Sequence, residues 1–303
     1  MRFHKYEAIN AVFLCATVTG AARMLNLSQP AVSRLIASAE AELGFQLFQR
    51  QKGRMAPTAE AQQLRPAILK IMESMGHASS LAAQLRQGGD RPLRVAAVPS
   101  LATAVLPRAV KSFTRLYPKS RLSLETYHYD SLVDALLAGQ ADLGFVYEPV
   151  AHAALEVTDL MQAAFCSVST AGYFAKSKRQ VSVKDLASCN IIGLSKDDLV
   201  ATLMAQTDGV ADIALSRNVS VETSVVAMHL AAQGMGVALV DSLTGALGLS
   251  LGAQVLPFAP EVPIRVAALR LAIREADVTQ MRFIAHFAAE CTDIHGKLWG
   301  ATP

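Results

Sequence analysis

The chain of 303 residues has few cysteines, few charged residues and no long uninterrupted apolar run. Its cysteines, Cys15, Cys166, Cys189 and Cys291, form no C-x-x-C pair and have no histidine at ligand spacing. This argues against a zinc site and against a disulfide framework, so we interpret them as core thiols and expect neither a metal nor a cofactor. The apolar stretches end well short of the ~20 residues of a bilayer span, so no membrane association is expected.

Signatures of common enzyme sites and of export are also missing. The sequence has no G-x-S-x-G, no phosphate-binding loop and only isolated histidines, which are more often structural than catalytic. We therefore do not expect an enzyme. Glu7 and Asn10 interrupt the apolar core that a signal peptide would need. An exported solute-binding protein is thus the weaker alternative, and we expect the protein in the cytoplasm.

What the chain does contain is apolar material, 52% hydrophobic residues against 17% charged ones. This balance excludes a largely disordered chain. The length exceeds what one core comfortably accommodates, so we expect two or three globular domains.

Three short helices are predicted before residue 45. Apolar spacing from Phe3 indicates the first, Thr17 offers an N-cap to the second, and Ser28 caps the third, with Pro30 in its first turn. Residues 47–58 then change to an apolar pair, a basic turn around a glycine, and Pro-Thr, which predicts a small β-wing.

A long helix follows the predicted wing. Apolar residues alternate steps of four and three along it, at Leu64, Ile68, Ile71, Met75, Ala78, Ala82 and Leu85. Such heptad spacing is typical of a helix that packs along another helix. The partner is either the chain itself or a second copy. Because Gly88-Gly89-Asp90 ends the helix before an obvious antiparallel mate, we favour dimerisation through this helix.

After Pro92 the pattern alternates strands with helices. The predicted strands are 93–98, 122–126, 141–146, 191–194, 219–221 and 237–240, and helices are predicted around 106–113 and 225–232. Such alternation favours a mostly parallel sheet covered on both faces, and about 200 residues suffice for two lobes.

The third helix carries polar residues suited to reading DNA. In a helix-turn-helix the second helix of the motif enters the major groove with its N-terminal residues on the bases. Gln29, Ser33 and Arg34 lie off the apolar stripe, and glutamine suits adenine as arginine suits guanine or phosphate. By themselves these residues are equally compatible with an ordinary polar surface. Arg50, Lys52 and Arg54 supply a basic cluster for the DNA backbone.

Residues 21–36 (AARMLNLSQPAVSRLI), then Glu40, Glu42-Leu43-Gly44 and Leu47-Phe48-Gln49-Arg50, closely resemble the signature of LysR-type transcriptional regulators. Two residues depart from it. Ala16 stands where the family usually has glycine before the second helix, and Ala61 where it usually has glycine after the Pro-Thr. Both are small, so we expect a local adjustment of the turn rather than loss of DNA binding.

The resemblance extends over the whole length and implies an α/β protein with three parts. These are a winged helix-turn-helix (1–58), a long linker helix (59–90) and a two-lobed, periplasmic-binding-protein-like effector domain (91–303). Lobe one would comprise 91–163 and 267–303, and lobe two 164–266. The implied partners are double-stranded operator DNA, a small-molecule effector, further copies in a homodimer or homotetramer, and RNA polymerase. The expected DNA-binding residues are Thr17, Thr19, Ser28, Gln29, Pro30, Ser33, Arg34, Arg50, Lys52 and Arg54.

Ligands of open α/β sheets lie beyond the carboxyl ends of the strands, where helix N-termini suit a carboxylate. Three junctions qualify, at residues 99–103, 222–224 and 195–198, although each alone is also compatible with a simple helix cap. Residues 221–241 resemble the family branch that answers to diaminopimelate or opines, so we expect an amino acid or opine-like effector. Acidic side chains would pair with its ammonium or guanidinium, and hydroxyls would bind its carboxylates. The expected effector residues are Ser100, Leu101, Ala102, Thr103, Glu148, Ser195, Asp197, Glu222, Thr223 and Asp241.

Overall fold

The computed structural model describes residues 1–51, 53–87, 91–194, 217–273, 275 and 277–300. The chain divides into two compact units, Met1–Gly89 and Asp90–Pro303. Each unit has its own core and is described by itself.

The first unit has three short helices, a two-stranded hairpin and a long helix. Its elements are α1 (Phe3–Cys15), α2 (Val18–Leu25), α3 (Gln29–Leu43), β1 (Phe48–Gln51), β2 (Arg54–Pro57) and α4 (Ala59–Gln87). The antiparallel pair β1–β2 is the expected wing. The predicted winged helix-turn-helix is therefore confirmed.

Local chemistry sets the helix ends of this unit. The Thr17 hydroxyl accepts a hydrogen bond from the Gly20 amide at 3.0 Å and begins α2. The Ser28 hydroxyl does the same for α3, from the Ala31 amide at 3.3 Å. Such caps satisfy amides that the first helical turn leaves without partners. Ala16 ends α1 in the left-handed conformation, at φ +53°.

The long helix α4 packs partly on its own unit. Ile68 is 1% exposed and lies in the first unit's core, and Leu64 and Met72 pack against that core. Met75, one turn beyond Ile71, is 42% exposed. The expectation that the whole heptad seam faces a partner helix was therefore wrong for its first turns, because α1 covers that face.

The second unit is a mixed α/β structure. Its first part runs β3 (Leu93–Ala97), α5 (Pro99–Ala104), α6 (Leu106–Leu116), β4 (Leu122–Thr126), α7 (Tyr129–Leu137), β5 (Leu143–Tyr147) and β6 (Leu155–Ser169). Next come β7 (Val181–Ser182), α8 (Val183–Leu186), β8 (Ile191–Leu194), β9 (Arg217–Val221), α9 (Ser224–Ala232), β10 (Val237–Asp241), α10 (Ser242–Ser250), β11 (Gln254–Ala259), β12 (Pro263–Leu271) and α11 (Val278–Gly300).

Two strand groups share β6, and we call the group that contains β3 lobe one and the group that contains β8 lobe two. In lobe one the order is β4-β3-β5-β12-β6, with β3 parallel to β4 and β5. In lobe two the order is β6-β10-β8-β9, with β8 parallel to β9 and β10, and with β11 also paired to β6. Strands β6 and β12 run antiparallel from Leu155↔Leu271 to Ala164↔Pro263, with a register shift between Val266 and Ala267.

All six strands expected from the sequence are present, with ends shifted by no more than two residues. Four further strands, β6, β7, β11 and β12, were not predicted. Strand β6 changes environment along its length, since the residues from Ala163 to Ser169 are buried whereas most of the earlier ones reach the surface. It therefore lacks a regular alternation of polar and apolar residues.

Aromatic packing fixes the last helix on lobe one. Phe145 of β5 stacks on Phe287 of α11 with ring centroids 3.7 Å apart, and Phe113 of α6 meets Phe283 edge-on. All four rings are fully buried. None of the helices in the described ranges combines the length and apolar character that a membrane crossing requires.

Candidate functional sites

The start of α3 presents the polar residues expected to read bases. Gln29, Ser33 and Arg34 are exposed, as is Pro30. Val32 of the same helix is buried against the unit's core. The helix thus has one face fixed in the unit and an opposite polar face that is free to enter a groove.

Three other predicted residues lie at the ends of α2 and α3. Thr17 and Ser28 are the N-caps described above, so their hydroxyls already accept amide hydrogen bonds. Thr19 is exposed in the first turn of α2. A capping hydroxyl keeps its own proton free, so Thr17 and Ser28 remain able to donate to a phosphate.

The wing is attached to the helices by hydrogen bonds that its backbone amides donate. Glu40 of α3 accepts from the amides of Leu47 (2.7 Å) and Phe48 (3.3 Å), and the Met55 amide donates to the Ala16 carbonyl at 2.8 Å. These contacts set the position of β1 and β2 relative to α3.

Two basic residues of the wing are exposed. Arg50 lies in β1 and Arg54 begins β2, opposite Gln51. Lys52 lies outside the described residues. The hairpin therefore presents guanidinium groups suited to phosphate contacts.

The first expected effector junction is the short helix α5 in lobe one. Ser100 is 8% exposed, Leu101 is fully buried and Ala102 is half-buried. Thr103 is exposed, and its hydroxyl donates to the Pro99 carbonyl at 2.8 Å. Of these residues, Ser100 combines a polar group with a position between the lobes, because α5 packs against α9 and α10 of lobe two.

The second junction begins α9. The Thr223 hydroxyl accepts from the Val226 amide at 3.4 Å and caps the helix. Glu222, the residue before it, is exposed. Because α5 contacts α9, Ser100 and Thr223 lie on neighbouring helices of opposite lobes. Ser195 and Asp197, of the third junction, lie outside the described residues.

Asp241 corrects one expectation. It is 0% exposed, and its carboxylate accepts hydrogen bonds from the Tyr147 hydroxyl (2.7 Å), the Thr244 amide (2.9 Å) and the Thr244 hydroxyl (2.7 Å). Burial raises its pKa, and the hydrogen bonds from Thr244 and Tyr147 oppose that shift. The carboxylate is therefore taken up in capping α10 and is not open to a ligand ammonium.

Glu148 is only partly available. Its backbone has φ +40°, its amide donates to the Arg265 carbonyl at 2.9 Å, and its carboxylate accepts from the Arg265 amide. It thus continues the pairing of β5 with β12 beyond Tyr147. The second carboxylate oxygen remains for other contacts.

A separate polar cavity of about 560 Å³ lies at the opposite edge of lobe one. It is lined by Arg91, Pro92, Leu93, Lys119, Ser120, Arg121, Asp142, Glu275, Asp277, Thr279 and Gln280. Leu93 begins β3 and Asp142 directly precedes β5, so the cavity lies at the amino ends of these strands. None of the expected effector residues lines it.

The sequence reasoning missed polar residues between the lobes. Tyr147 ends β5 and was overlooked although it directly precedes Glu148. Ser242 follows Asp241, and its hydroxyl contacts His295 Nδ1 of α11 at 2.9 Å. The sequence did contain a signal for the capping role of Asp241. In the pattern D-x-x-T, Asp241 stands three residues before Thr244, which is the spacing between an N-cap side chain and the backbone amide that it binds.

Two family models match the chain. They are "Bacterial regulatory helix-turn-helix protein, lysR family" over residues 3–62 and "LysR substrate binding domain" over residues 86–292. Among relatives, the chain is 30% identical to the HTH-type transcriptional regulator DgcR of Pseudoalteromonas sp, covering 89% of this chain and 93% of that protein. It is 29% identical to the octopine catabolism/uptake operon regulatory protein OccR of Rhizobium meliloti, covering 98% and 97%. The solved structure of full-length CbnR with its target DNA has the same fold, with a TM-score of 0.66 and 20% identity over 96% of this chain and all of that one.

Proposed function

Because this chain belongs to the LysR family of bacterial transcriptional regulators, we propose that it reads its operator with Gln29, Ser33 and Arg34 of α3. It is a DNA-binding regulator with an effector-binding domain, and its family consists of regulators rather than enzymes. The observation that carries the proposal is the exposure of these three side chains on a helix whose other face is buried.

The chemistry of these residues suits direct readout of base edges. Arginine and glutamine make bidentate contacts to guanine and adenine in the major groove, and serine bonds to several bases. The remaining expected contacts go to the sugar-phosphate backbone and carry no sequence information. They are Thr17, Thr19, Ser28, Pro30, Arg50, Lys52 and Arg54.

Two arginine substitutions separate reading from backbone binding. After an operator has been selected from genomic fragments by gel shift, Arg34→Ala is expected to lose about 1–3 kcal/mol of specific binding. Arg54→Ala should weaken binding to all sequences and reduce the salt slope by about one. Arg115→Ala, an exposed arginine of α6 in the second unit, serves as the matched control. Wild-type affinity and sequence preference in the Arg34 variant would contradict the assignment.

For the effector we propose an amino acid or opine-like metabolite. OccR, with which the chain aligns over 98% of its length, is named for an octopine operon, and such a ligand carries carboxylates and a basic group. Ser100, Thr223 and Ser195 would bind its carboxylates, with the neighbouring residues 101–103 and Asp197 around them. Glu222 and Glu148 would face its basic group. Asp241 would not touch the ligand and would act only by accepting the hydrogen bond of the Tyr147 hydroxyl.

A thermal-shift screen over lysine, diaminopimelate, octopine and nopaline tests this class, because a specific ligand stabilises the folded state by mass action. With a ligand identified, Ser100→Ala and Thr223→Val should each abolish the response in a promoter assay. Operator affinity without ligand should stay near wild type, because both substitutions leave the DNA-reading unit and the hydrogen bond between Tyr147 and Asp241 in place. A full response in both variants would move the effector site elsewhere.

The remaining proposals concern the domain bounds of the protein, its location and its partners. Residues 1–58 would form the DNA-binding domain, 59–90 the dimerisation helix, and 91–303 the effector domain, with lobe one at 91–163 and 267–303 and lobe two at 164–266. The protein would act in the cytoplasm as a homodimer or homotetramer and would contact RNA polymerase at the promoter. Support for the dimer helix comes from Met75, an apolar residue of α4 that is 42% exposed.

A further inference from the structure

We infer that the Tyr147 hydroxyl is a positioning group that joins the two lobes of the effector domain next to the effector site. It would hold the lobes in one relative orientation and so set the state from which an effector shifts the protein. This inference rests on the proposed effector site for its regulatory meaning. The joining contact itself is a property of the second unit and is tested without a ligand.

The contact spans the two strand groups. Tyr147 is the last residue of β5 and pairs with Val266 of β12, and both strands belong to the strand group β4-β3-β5-β12-β6. Asp241 is the last residue of β10 and pairs with Phe165, where β6 runs through lobe two. The Tyr147 hydroxyl donates to Asp241 Oδ1 at 2.7 Å. One hydrogen bond therefore links the carboxyl edges of both strand groups.

The surroundings make this bond expensive to break. Tyr147 is 4% exposed and Asp241 is 0% exposed, and in the described part of the chain no lysine or arginine pairs with Asp241. A buried carboxylate depends on its hydrogen-bond donors, and leaving it short of one carries a full desolvation penalty. The other donors, the Thr244 amide and hydroxyl, come from lobe two itself. Tyr147 is thus the donor that lobe one provides.

The same phenol lies beside the expected ligand contact. Ser100 neighbours the Tyr147 hydroxyl, and its helix α5 packs on α10, the helix that Asp241 caps. Polar groups therefore run from Ser100 through Tyr147 and Asp241 to Thr244. A carboxylate bound at Ser100 would compete with Asp241 for the hydrogen bond that the Tyr147 hydroxyl donates. Ligand binding and lobe orientation would therefore be coupled. Only such a difference in contacts between orientations lets a ligand bias them.

Tyr147→Phe removes the hydroxyl and keeps the ring. We expect amide hydrogen exchange of the full-length protein to rise about tenfold on both sides of the contact. The reporters are the Val105 amide at the C-cap of α5 in lobe one, which donates to the Leu101 carbonyl, and the Thr244 amide of α10 in lobe two. Amides of the β6–β12 ladder should keep their protection, because that ladder is intact in either orientation.

Two matched variants define the outcome. Thr244→Val removes a partner of Asp241 that lies within lobe two, so it should affect α10 and leave α5 unchanged. Tyr129→Phe removes a hydroxyl that accepts from the Val150 amide at 2.7 Å within lobe one, so it should leave α10 unchanged. If Tyr147→Phe affects a single lobe, or raises exchange evenly through the second unit, the hydroxyl has only a structural role and the inference is overturned.

A second readout ties the contact to regulation. Without any ligand, Tyr147→Phe should change operator affinity by about threefold or more relative to Tyr129→Phe, because the set of lobe orientations changes. If Tyr147→Phe raises amide exchange in both lobes but leaves operator affinity unchanged, the proposed effect of this contact on regulation is overturned. Failure of the proposed DNA reading is distinguished by Arg34→Ala, whose loss of binding does not depend on Tyr147.

Discussion

Replacing Ala16 with glycine tests whether this chain carries backbone strain where its family usually has glycine. Ala16 ends α1 at φ +53° and ψ +15°, its amide donates to the Val12 carbonyl, and its own carbonyl accepts from Met55 of the wing. The left-handed conformation is therefore held from two sides, by the end of a helix and by the hairpin.

The magnitude follows from two opposing effects. An L-residue in the left-handed region costs about 1–2 kcal/mol relative to the right-handed one, whereas glycine adopts either readily. Glycine also gives the unfolded chain more conformational freedom, which offsets about 0.4–1 kcal/mol of that gain in stability. With central values of about 1.5 and 0.7 kcal/mol, Ala16→Gly should stabilise the first unit by about 0.8 kcal/mol, a rise in Tm of about 3–6 °C for a domain of this size.

Gly44→Ala is the matched opposite change. Gly44 ends α3 at φ +80°, and a Cβ built there meets no atom within 4 Å. Its cost is therefore conformational, with the two effects reversed in sign. We expect Gly44→Ala to destabilise the same unit by about as much as Ala16→Gly stabilises it.

The assay has a built-in reference, because Trp299 of α11 is the single tryptophan of the chain and lies in the second unit. Its fluorescence reports the unfolding of that unit, and far-UV circular dichroism with amide exchange on α1 to α3 reports the first. Both variants should leave the Trp299 transition unchanged. A destabilised Ala16→Gly protein would refute the argument from strain, and a neutral Gly44→Ala protein would refute the assumed cost.

Three further changes test other parts of the molecule. Ile71→Asp puts a charge at a half-buried position of the heptad seam of α4, so light scattering should detect a smaller oligomer. An unchanged oligomer size would exclude this helix face from the dimer contact. Phe287→Ala removes the ring stacked on Phe145 and should lower the stability reported by Trp299 by about 3–5 kcal/mol, and a loss under about 1 kcal/mol would contradict that packing. The hydrogen bond from Lys5 lowers the pKa of Glu42 from 4.5 to about 2, so its contribution is present above pH 4.5 and is lost as the pH falls toward 2. Glu42→Gln should therefore flatten the pH dependence of unfolding in that window, and an unaltered curve would contradict it.

Local signals explain why the DNA-reading unit was well predicted. Ser28 and Pro30 mark the start of α3 through the hydrogen bonds that a first turn requires, and these requirements do not depend on the rest of the fold. The heptad spacing of α4 was less informative. It correctly groups Ile68 with one helical face, but spacing does not say whether that face meets α1 or another molecule.

The effector domain shows the limits of local reading more clearly. Strand β6 was missed because one end is largely exposed and the other fully buried, so no single periodicity runs through it. Asp241 was expected to pair with a basic group of the ligand because residues 221–241 resemble the branch of the family that answers to diaminopimelate or opines. Its partner Tyr147 lies 94 positions earlier, and only the sheet order brings the two together.

The path of the chain through lobe one also constrains how the protein is made. Strand β12 lies between β5 and β6 in the sheet, yet it is synthesised after every strand of lobe two. Until residue 263 leaves the ribosome, β5 and the first part of β6 have an unpaired edge, and such edges promote aggregation. Lobe two, whose strands are contiguous from the end of β6 to β11, can complete its pairing first. A chain cut near residue 262 should therefore accumulate as an insoluble product, because the last strand to emerge closes the first lobe that began to fold.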